Sequence, residues 1–464
     1  NASLADGVVD ATDRLQAAVD TLSEHGPGVV HLPPGIFQIT RTLELKPGVV
    51  IRGAGRTATT ITAPPTGLLS GANREGGQAL VHIRTRAGLE DLELVAGPGV
   101  GRLVYVRPDL EADGDFSYDV FFNRVNGRFT EKQWVGIGGR YAPARSGLMI
   151  RGNAMRMAVY DCRIVASNPF PGFSGRFEQL RLIGNHFEVS PRQASNNVTL
   201  RHCHRSMVTG NTFIHGGRSV VSQNGFSRNW VFQNVSEGVG RAGNGTEQFM
   251  SEFGQSAWIG KAEAIGPRSV RLPEGALAGA SIDANGLGST WANAGAQYFV
   301  FVAGGRGLGQ YRAVASVDGD RLTLAEPWAV PPDADTALAL ITAAHRNLWV
   351  NNTTKDGDGV SQFVYGAGIE NVVAGHLMIQ NSAMNMYARK RFNDEGDITR
   401  YGVVAFNRWI GNQARCAGGG DAAFKLWRVS GDIFPVTHLG NVVRHNVVVG
   451  RGEAAQYQNQ YNDW

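Results

Sequence analysis

Short apolar segments recur along the chain, and one polar residue interrupts each of them. Between residues 181 and 235 the segments read RLIGNHF, SMVTGNTF and WVFQNVS, interrupted at Asn185, Asn211 and Asn234. These asparagines lie 26 and 23 residues apart, and Asp161 in MAVYDCRI precedes Asn185 by 24 residues. β-Forming segments that return every ~20–30 residues around one polar turn residue are typical of a solenoid.

Two arrangements of these segments agree with the pattern. In a solenoid, successive coils lie about 4.8 Å apart, so each asparagine would hydrogen-bond to the asparagine of the next coil. In the alternative, the segments form unrelated β-hairpins, which would not require a nearly constant spacing. The spacing therefore favours an all-β fold, a right-handed parallel β-helix of about ten coils, whose hand follows the usual crossover rule.

The repeat is interrupted once by segments of a different rhythm. Alternating strands joined by turns such as Asp318-Gly319-Asp320 predict an inserted antiparallel β module there. The repeat then resumes, with the polar turn position at Asn352, His376, Asn407 and Asn446. We predict five segments: 1–60 with an N-terminal cap and the first coils, 61–257 and 346–450 with the two parts of the β-helix, 258–345 with the inserted module, and 451–464 with a polar tail.

The first sixty residues contain an amphipathic helical pattern. The apolar face of the predicted helix, near residues 12–24, carries Leu15, Ala18, Val19 and Leu22. Asp10 or Thr12 is the predicted N-cap, and Gly26-Pro27-Gly28 would end the helix. Because an open solenoid end exposes unpaired strand edges, we expect this helix to cap the first coil.

The same region carries a family resemblance. The stretches DGVVDATDRLQAAVD, GPGVVHLPPGIFQI and LELKPGVVIRGAG, within residues 5–62, resemble the N-terminal part of the pectate-lyase-like superfamily. That superfamily contains right-handed parallel β-helices such as pectate and alginate lyases, polygalacturonase-type hydrolases, fructotransferases, epimerases and phage tailspikes. The resemblance implies the fold and a carbohydrate polymer as substrate class, and it leaves the reaction open.

Composition narrows the class of partner. The chain has 464 residues with 61 glycines and 42% hydrophobic residues, which suits an elongated solenoid that adds core coil by coil. Its formal charge of +4 mildly favours an acidic partner. Because blocks of Lys and Arg are missing, we do not expect nucleic acid as a partner. No apolar run reaches the ~18 residues of a membrane helix, so we expect no membrane association.

The three cysteines, Cys162, Cys203 and Cys416, fit neither a disulfide framework nor a metal-ligand spacing. Cys162 and Cys203 fall in repeat strands, where we expect buried thiols.

The chain begins at Asn1 rather than at a methionine, which agrees with a removed leader or a trimmed terminus. We expect a secreted or periplasmic protein that is a monomer or a homotrimer.

Each coil should contribute a further strand roughly midway between polar turns, and strand alternation assigns its faces. On three such strands the outward positions are polar or aromatic, which is what a sugar-binding groove needs. They are Gln248 and Glu252 in TEQFMSEF, Tyr387, Arg389 and Arg391 in AMNMYARKR, and Lys425 and Trp427 in AAFKLWRV. The run Arg389-Lys390-Arg391 agrees equally well with an ordinary solvated surface.

Acidic residues near the junction with the inserted module are the candidate catalytic groups. With the module looped out, Glu247 and Glu252 would stack beside Asp356 and Asp358, about 5–10 Å apart as in glycosidases. The Asp-Gly pairs also fit a plain turn. His204 is a candidate base, or a buried histidine of the coil.

Three functions agree with these residues. The first is a glycoside hydrolase or glycosyl transferase with a pair of carboxylates, which needs no cofactor. The second is a polysaccharide lyase that removes the proton α to a uronic carboxylate, with Arg, Lys or Ca²⁺ neutralising the charge. The third is a non-catalytic carbohydrate-binding or tailspike-like module. In all three the partner is a carbohydrate polymer or oligosaccharide.

Overall fold

The computed structural model describes most of the chain as β-structure. The residues outside the description are 1–4, 69–77, 98, 108–115, 131–144, 174–175, 190–194, 241–246, 253–255, 278–296, 358–359, 380–383, 389, 393–397, 417–423, 428–437, 451–454 and 458–464. The described part contains a single α-helix, and its coil strands pair in parallel with the strands of the next coil. It is a parallel β-helix with an N-terminal cap helix and an inserted antiparallel module, as the repeat pattern predicts.

The elements before the module are short strands and the cap helix. In chain order they are β1 Asp6–Asp10, α1 Thr12–His25, β2 Gly28–His31, β3 Gly35–Gln38, β4 Leu43–Leu45, β5 Val49–Arg52, β6 Thr59–Thr62, β7 Gln78–Ile83, β8 Gly88–Ala96, β9 Val100–Val106, β10 Phe116–Tyr118, β11 Phe121–Phe129, β12 Ser146–Arg151, β13 Asn153–Met155, β14 Ala158–Tyr160, β15 Arg163–Val165, β16 Phe170–Phe173, β17 Phe177–Glu178, β18 Arg181–Ile183, β19 His186–Glu188, β20 Asn196–His204, β21 Met207–Thr209, β22 Thr212–Ile214, β23 Arg218–Ser227, β24 Trp230–Phe232, β25 Val235–Glu237 and β26 Glu247–Glu252.

The module and the later coils follow. The module strands are β27 Ser256–Lys261, β28 Ala264–Gly266, β29 Ser269–Arg271, β30 Tyr298–Gly304, β31 Tyr311–Asp318, β32 Arg321–Leu324 and β33 Ala337–Thr342. The later strands are β34 Ala344–His345, β35 Leu348–Val350, β36 Thr353–Lys355, β37 Val360–Tyr365, β38 Gly368–Ile369, β39 Val372–Ala374, β40 Leu377–Ile379, β41 Met384–Tyr387, β42 Lys390–Phe392, β43 Ile398–Tyr401, β44 Val404–Ala405, β45 Arg408–Ile410, β46 Gln413–Cys416, β47 Phe424–Trp427, β48 His438–Leu439, β49 Val442–Arg444, β50 Val447–Gly450 and β51 Ala455–Tyr457.

The chain forms two compact units. The first comprises Asn1–Leu200, Ser206–Val220 and Gln233–Thr246, and the second comprises Arg201–Arg205, Val221–Phe232 and Glu247–Trp464. In the first unit, helix α1 packs on β2, β4 and β5 and buries Leu15 and Val19 against them. Ala11 occupies the N-cap position, and the neighbouring Asp10 carboxylate accepts the main-chain N–H of Thr12 at 2.9 Å.

A ladder of buried asparagines holds the turns of the first unit together. Asn211 is fully buried and donates its side-chain N–H to Asn234 Oδ1 at 2.9 Å, and Asn185 donates to Asn211 Oδ1 at the same distance. This confirms the predicted stacking of turn asparagines. The ladder position in the preceding coil belongs to Cys162, whose main-chain N–H donates to Asn185 Oδ1 at 3.0 Å. Asp161, which the spacing suggested, instead pairs with Arg56 at 2.6 Å.

The buried thiols follow from this placement. Cys162 is 1% exposed and Cys203 is fully buried, as expected for repeat strands. Burial raises the pKa of the Cys162 thiol to about 12, so it is protonated and unreactive at neutral pH.

The second unit has two asparagine ladders rather than one. The first runs through Asn229, Asn347, Asn371, Asn407 and Asn441. In the second, the main-chain N–H of His376 donates to Asn412 Oδ1 at 2.9 Å, and Asn412 donates to Asn446 at 2.8 Å. The sequence pattern therefore merged two series, because Asn407 belongs to the first ladder and Asn412 takes its place in the second.

The inserted module is a seven-stranded antiparallel sheet in the order β27-β33-β30-β31-β32-β29-β28. One side of the sheet packs into its own core around Leu322, Leu338 and Trp328. Residues of the other side, including Phe301 and Ile341, pack against coil residues such as Ile369. Because the strands of the module alternate between these two cores, the module is attached to the coils by a continuous apolar contact.

Candidate functional site

Four consecutive coils of the second unit place aromatic and acidic residues level with one another. Strands β26, β37, β41 and β47 are parallel neighbours in that order. Their register aligns Glu252, Tyr365, Tyr387 and Trp427. We call these four residues the strip. Adjacent members lie on neighbouring strands, which are about 4.8 Å apart.

Strand alternation separates Tyr387 of the strip from the core beneath it. Phe249, Val364, Met384 and Met386 are buried, whereas Asn385 and Tyr387 between or beside them are partly exposed. The predicted facing of β41 is thereby confirmed. A second aligned row lies beside the strip and consists of Gln362, Asn385, Lys425 and Gln456. The two rows together place aromatic, amide, amino and carboxyl groups on the same strands.

The two predicted glutamates of β26 lie at different levels of the register. Glu247 is aligned with Val360, whereas Glu252 is aligned with Tyr365. At about 3.3 Å per residue, the five-residue offset separates the two glutamates by about 16 Å along the strand. Asp356 precedes Val360, in a left-handed turn with φ of 53°, and therefore lies toward Glu247 rather than Glu252. The roles of these residues stay predictions.

The other predicted residues are distributed as follows. Gln248 follows Glu247 in β26, and Lys425 lies in the second row. Arg391 is in β42, an antiparallel partner of β43 in which it faces Arg400, and so it is not in the strip. Asp358 and Arg389 lie outside the described residues. His204 ends β20 and is 7% exposed, with Nδ1 at 2.6 Å from Ser227 Oγ, as expected of a buried coil histidine.

A second cluster of polar residues was not predicted from the sequence. Tyr311 of module strand β31 places its phenol oxygen 3.1 Å from His345 Nε2 and 3.1 Å from Arg346 Nη2. Arg346 Nε donates to Glu370 Oε2 at 2.6 Å. These residues line a cleft of about 370 Å³ that also includes Arg228 and Arg312. We call it the module cleft.

Burial and charge fix the ionisation of this cluster. Burial lowers the pKa of His345 to about 4, and the positive charge of Arg346 adds to the effect. Burial also raises the pKa of the Tyr311 phenol, and its hydrogen bond with Glu370 raises it further. Burial alone would raise the pKa of Glu370, but hydrogen bonds from Arg346 and Tyr311 outweigh it and leave that pKa lowered. At neutral pH the histidine is therefore neutral and the glutamate ionised.

One signal in the sequence marks three members of the module cleft. Arg228, Arg346 and Glu370 each immediately precede an asparagine of the first ladder and have φ of 54–56°. A residue in this position is forced outward because the following asparagine turns inward. The contribution of Tyr311 had no such signal, since it comes from the inserted module.

The N-terminal part of the chain is similar in sequence to a known family. Residues 3–82 match the family described as Rhamnogalacturonase A/epimerase, pectate lyase-like. Together with the parallel coils, this match confirms the resemblance of the N-terminal sequence. Residues 3–82 therefore resemble the pectate-lyase-like family, and the described coils have the parallel β-helix fold. No curated protein sequence matches it.

Solved structures show the same fold at low identity. The Dettilon tailspike protein superposes with a TM-score of 0.51 at 11% identity, over 96% of this chain and 65% of the tailspike. The A-module of a mannuronan C-5 epimerase from Azotobacter vinelandii gives 0.43 at 13% identity, over 99% and 97% of the two chains. The catalytic unit of a GH87 α-1,3-glucanase from Streptomyces thermodiastaticus gives 0.44 at 11% identity, over 96% and 67%. At these identities the tailspike match establishes the β-helix fold alone.

Two further properties concern the described part of the β-helix. No helix in it is long and apolar enough to cross a membrane. Among the same residues, no three His, Cys, Asp or Glu side chains converge in a way that could hold a metal ion. The Ca²⁺ that a lyase would use stays a prediction.

Proposed function

We propose that this protein is an enzyme that acts on a polysaccharide bound along the strip, and that it cleaves a uronic-acid polymer by β-elimination. The observation that carries the proposal is the alignment of Tyr365, Tyr387 and Trp427 on adjacent strands, beside a row that contains Lys425. Aromatic rings offer stacking surfaces for successive sugars, and the neighbouring strands repeat at a spacing suited to a polymer.

The chemistry assigned to the strip needs one base and one cation. In β-elimination a base removes the proton on the carbon α to the uronic carboxylate, and the electron pair forms a double bond to the adjacent carbon. The glycosidic oxygen leaves with the bond electrons and takes a proton from an acid. Tyr387 is our candidate for the proton transfers, and Lys425 is our candidate for neutralising the charge that develops on the carboxylate.

The family match supports a carbohydrate substrate, since the matching family is named for a rhamnogalacturonase and an epimerase. The β-elimination assignment is supported by the second row, which places Lys425 on the strand next to that of Tyr387. The strip contains one carboxyl residue, Glu252, whereas a glycosidase uses two carboxyl groups on the same sugar.

A hydrolase or transferase is the second candidate function. The observation that favours it is Glu252, a carboxyl group aligned with the tyrosines of the strip. In such an enzyme Glu252 would act as the general acid, and a second carboxyl group would have to reach the same sugar.

A digest of a panel of neutral and uronic polysaccharides tests the assignment. Products that absorb at about 235 nm, the absorbance of the unsaturated uronate that β-elimination leaves, are expected from a uronic polymer and from no neutral one. New reducing ends without this absorbance would replace the lyase with the hydrolase. Binding of a polymer without any product would leave only the carbohydrate-binding module.

A further inference from the structure

The module cleft is lined by more arginines than carboxylates. Three arginines and two glutamates, Glu326 and Glu370, line it, which leaves one net positive charge because His345 is neutral. Arg346 is paired with Glu370. Among the described residues, Arg228 and Arg312 form no ion pair with a carboxylate.

Arg312 is held in place without a carboxylate partner. Its Nε donates to the carbonyl oxygen of Pro327 at 2.7 Å, and its Nη1 donates to the carbonyl oxygen of Tyr311 at 2.8 Å. The guanidinium also lies 5.6 Å from the centre of the Trp328 ring. These contacts fix the group without cancelling its charge, so it is preorganised for an anion.

The opposite wall presents a column of turn residues. Arg228, Arg346, Glu370 and Phe406 occupy the same left-handed position in four consecutive coils. The Arg228 side chain is exposed, and its main-chain N–H donates to His345 O at 2.9 Å. The column thus holds one uncommitted cation, one neutralised ion pair and one aromatic ring at successive levels.

We propose that the module cleft is a second saccharide site, which binds the carboxylate of an acidic sugar unit through Arg228 and Arg312. A volume of about 370 Å³ suits one or two sugar units, and Phe406 supplies an apolar face for the ring. The choice of a sugar as the carrier of the carboxylate rests on the proposed function, whereas the preference for an anion does not. The neighbouring Tyr311–His345–Arg346–Glu370 network keeps the wall rigid.

Titration of the full chain with methyl glucuronide tests this site, with methyl glucoside as the neutral counterpart. We expect the glucuronide to bind and the glucoside to bind at least tenfold more weakly. Added salt should weaken the binding of the glucuronide. Arg228→Gln and Arg312→Gln should each weaken glucuronide binding about tenfold. The matched control is Arg408→Gln, an exposed arginine of the same unit outside the cleft, which should change nothing. Competition by inorganic sulfate would distinguish a general anion site from a saccharide site.

Three results would overturn the proposal. They are equal binding of the two glycosides, full displacement of the glucuronide by sulfate at equal concentration, and glucuronide binding that both arginine variants retain. Loss of binding in Tyr387→Phe with retention in Arg228→Gln would place the anion in the strip instead. Arg228 is exposed, and its side chain forms no hydrogen bond or ion pair with the residues that the structure describes, so we expect its variant to fold even if Arg312→Gln does not. The protein could bind the glucuronide in a way that depends on Arg228 and yet digest no polysaccharide. That result would contradict the proposed function and support this site.

Discussion

Asn371 donates both its main-chain N–H and its side-chain N–H to one atom, Asn407 Oδ1, at 3.0 and 2.8 Å. It also donates to the carbonyl oxygen of Ala344 at 2.9 Å and accepts two hydrogen bonds from Asn347. The buried Asn371 side chain therefore satisfies two main-chain groups of the preceding coil, the Ala344 carbonyl and the Asn347 N–H, and bonds to the side chain of Asn407 in the next coil.

Substitution of Asn371 by leucine should destabilise the second unit. Leucine has similar volume but leaves donors and acceptors of neighbouring turns buried without partners, which costs about 1–3 kcal/mol of unfolding free energy. Chemical denaturation monitored by far-UV circular dichroism measures the change. The matched control is Asn123→Leu, because Asn123 is partly exposed and its amide makes one long bond of 3.3 Å to Glu90. If the two variants had equal unfolding free energies, the hydrogen bonds of the ladder would not contribute the expected stability.

The histidine in the second ladder should make stability depend on pH. Burial lowers the pKa of His376 from 6.5 to about 3, so the unfolded chain binds a proton that the folded chain excludes. Its contribution to stability is complete above pH 6.5 and is lost as the pH falls toward 3. His345, with a pKa of about 4, acts in the same direction.

Unfolding free energies measured between pH 7.5 and pH 5 check this dependence. His376→Asn should reduce the slope by up to one proton, since asparagine fits the ladder and does not titrate. His445→Asn, at an exposed turn position with φ of 57°, is the control and should leave the slope unchanged. A slope that persists undiminished in His376→Asn would show that other groups cause it.

A glycine between β43 and β44 marks the closest approach of two coils. A Cβ added at Gly402 would lie 1.7 Å from the carbonyl oxygen of Gly366 in the preceding coil. Because the obstacle is backbone, Gly402→Ala must displace a coil, and we expect a loss of at least about 1–3 kcal/mol. Thermal unfolding tests this against Gly97→Ala, where the nearest atom would be 3.7 Å away. A melting temperature of Gly402→Ala equal to that of the control would contradict the close packing.

Substitutions in the strip separate the two candidate reactions. In the lyase, Tyr387→Phe removes the phenol that moves the proton and should reduce turnover at least ~100-fold, whereas Glu252→Gln should retain most of it. In the hydrolase the order is reversed. Asp318→Asn is the control, since Asp318 is an exposed acid at the end of module strand β31, outside the strip. Circular dichroism establishes that each variant is folded, and loss of turnover in the control alone would remove both assignments.

The sequence predicted the parts of this fold that repeat. Asn185, Asn211 and Asn234 recur at a spacing set by the coil, so their stacking could be inferred from position alone. The merging of Asn407 with the second ladder arose because two buried asparagines, five residues apart, are present in one coil, and a single period cannot distinguish them.

The candidate sites were predicted less well, for a related reason. Tyr387 and Trp427 could be assigned to one row because both lie on coil strands whose neighbours are fixed by the repeat. The level of Glu252 relative to Asp356 could not, since the segment between β36 and β37 follows no repeat pattern in the sequence and its length decides the register. Tyr311 reaches His345 through a fold outside the repeat, and no local pattern records that contact.

The side-chain bond from Asn229 to Asn347 joins residues 118 apart in sequence, whereas the bond from Asn347 to Asn371 joins residues only 24 apart, with the same geometry. By chain statistics, closing the longer loop costs about 1.4 kcal/mol more in free energy, because more conformational entropy is lost. That penalty shrinks if the antiparallel module folds first and brings its ends, Ser256 and Ile341, into direct pairing. The chain should then fold through an intermediate in which the module is already formed and holds the two ends of the insertion together. In this way the solenoid can acquire a domain-sized insertion without any change in the coils on either side.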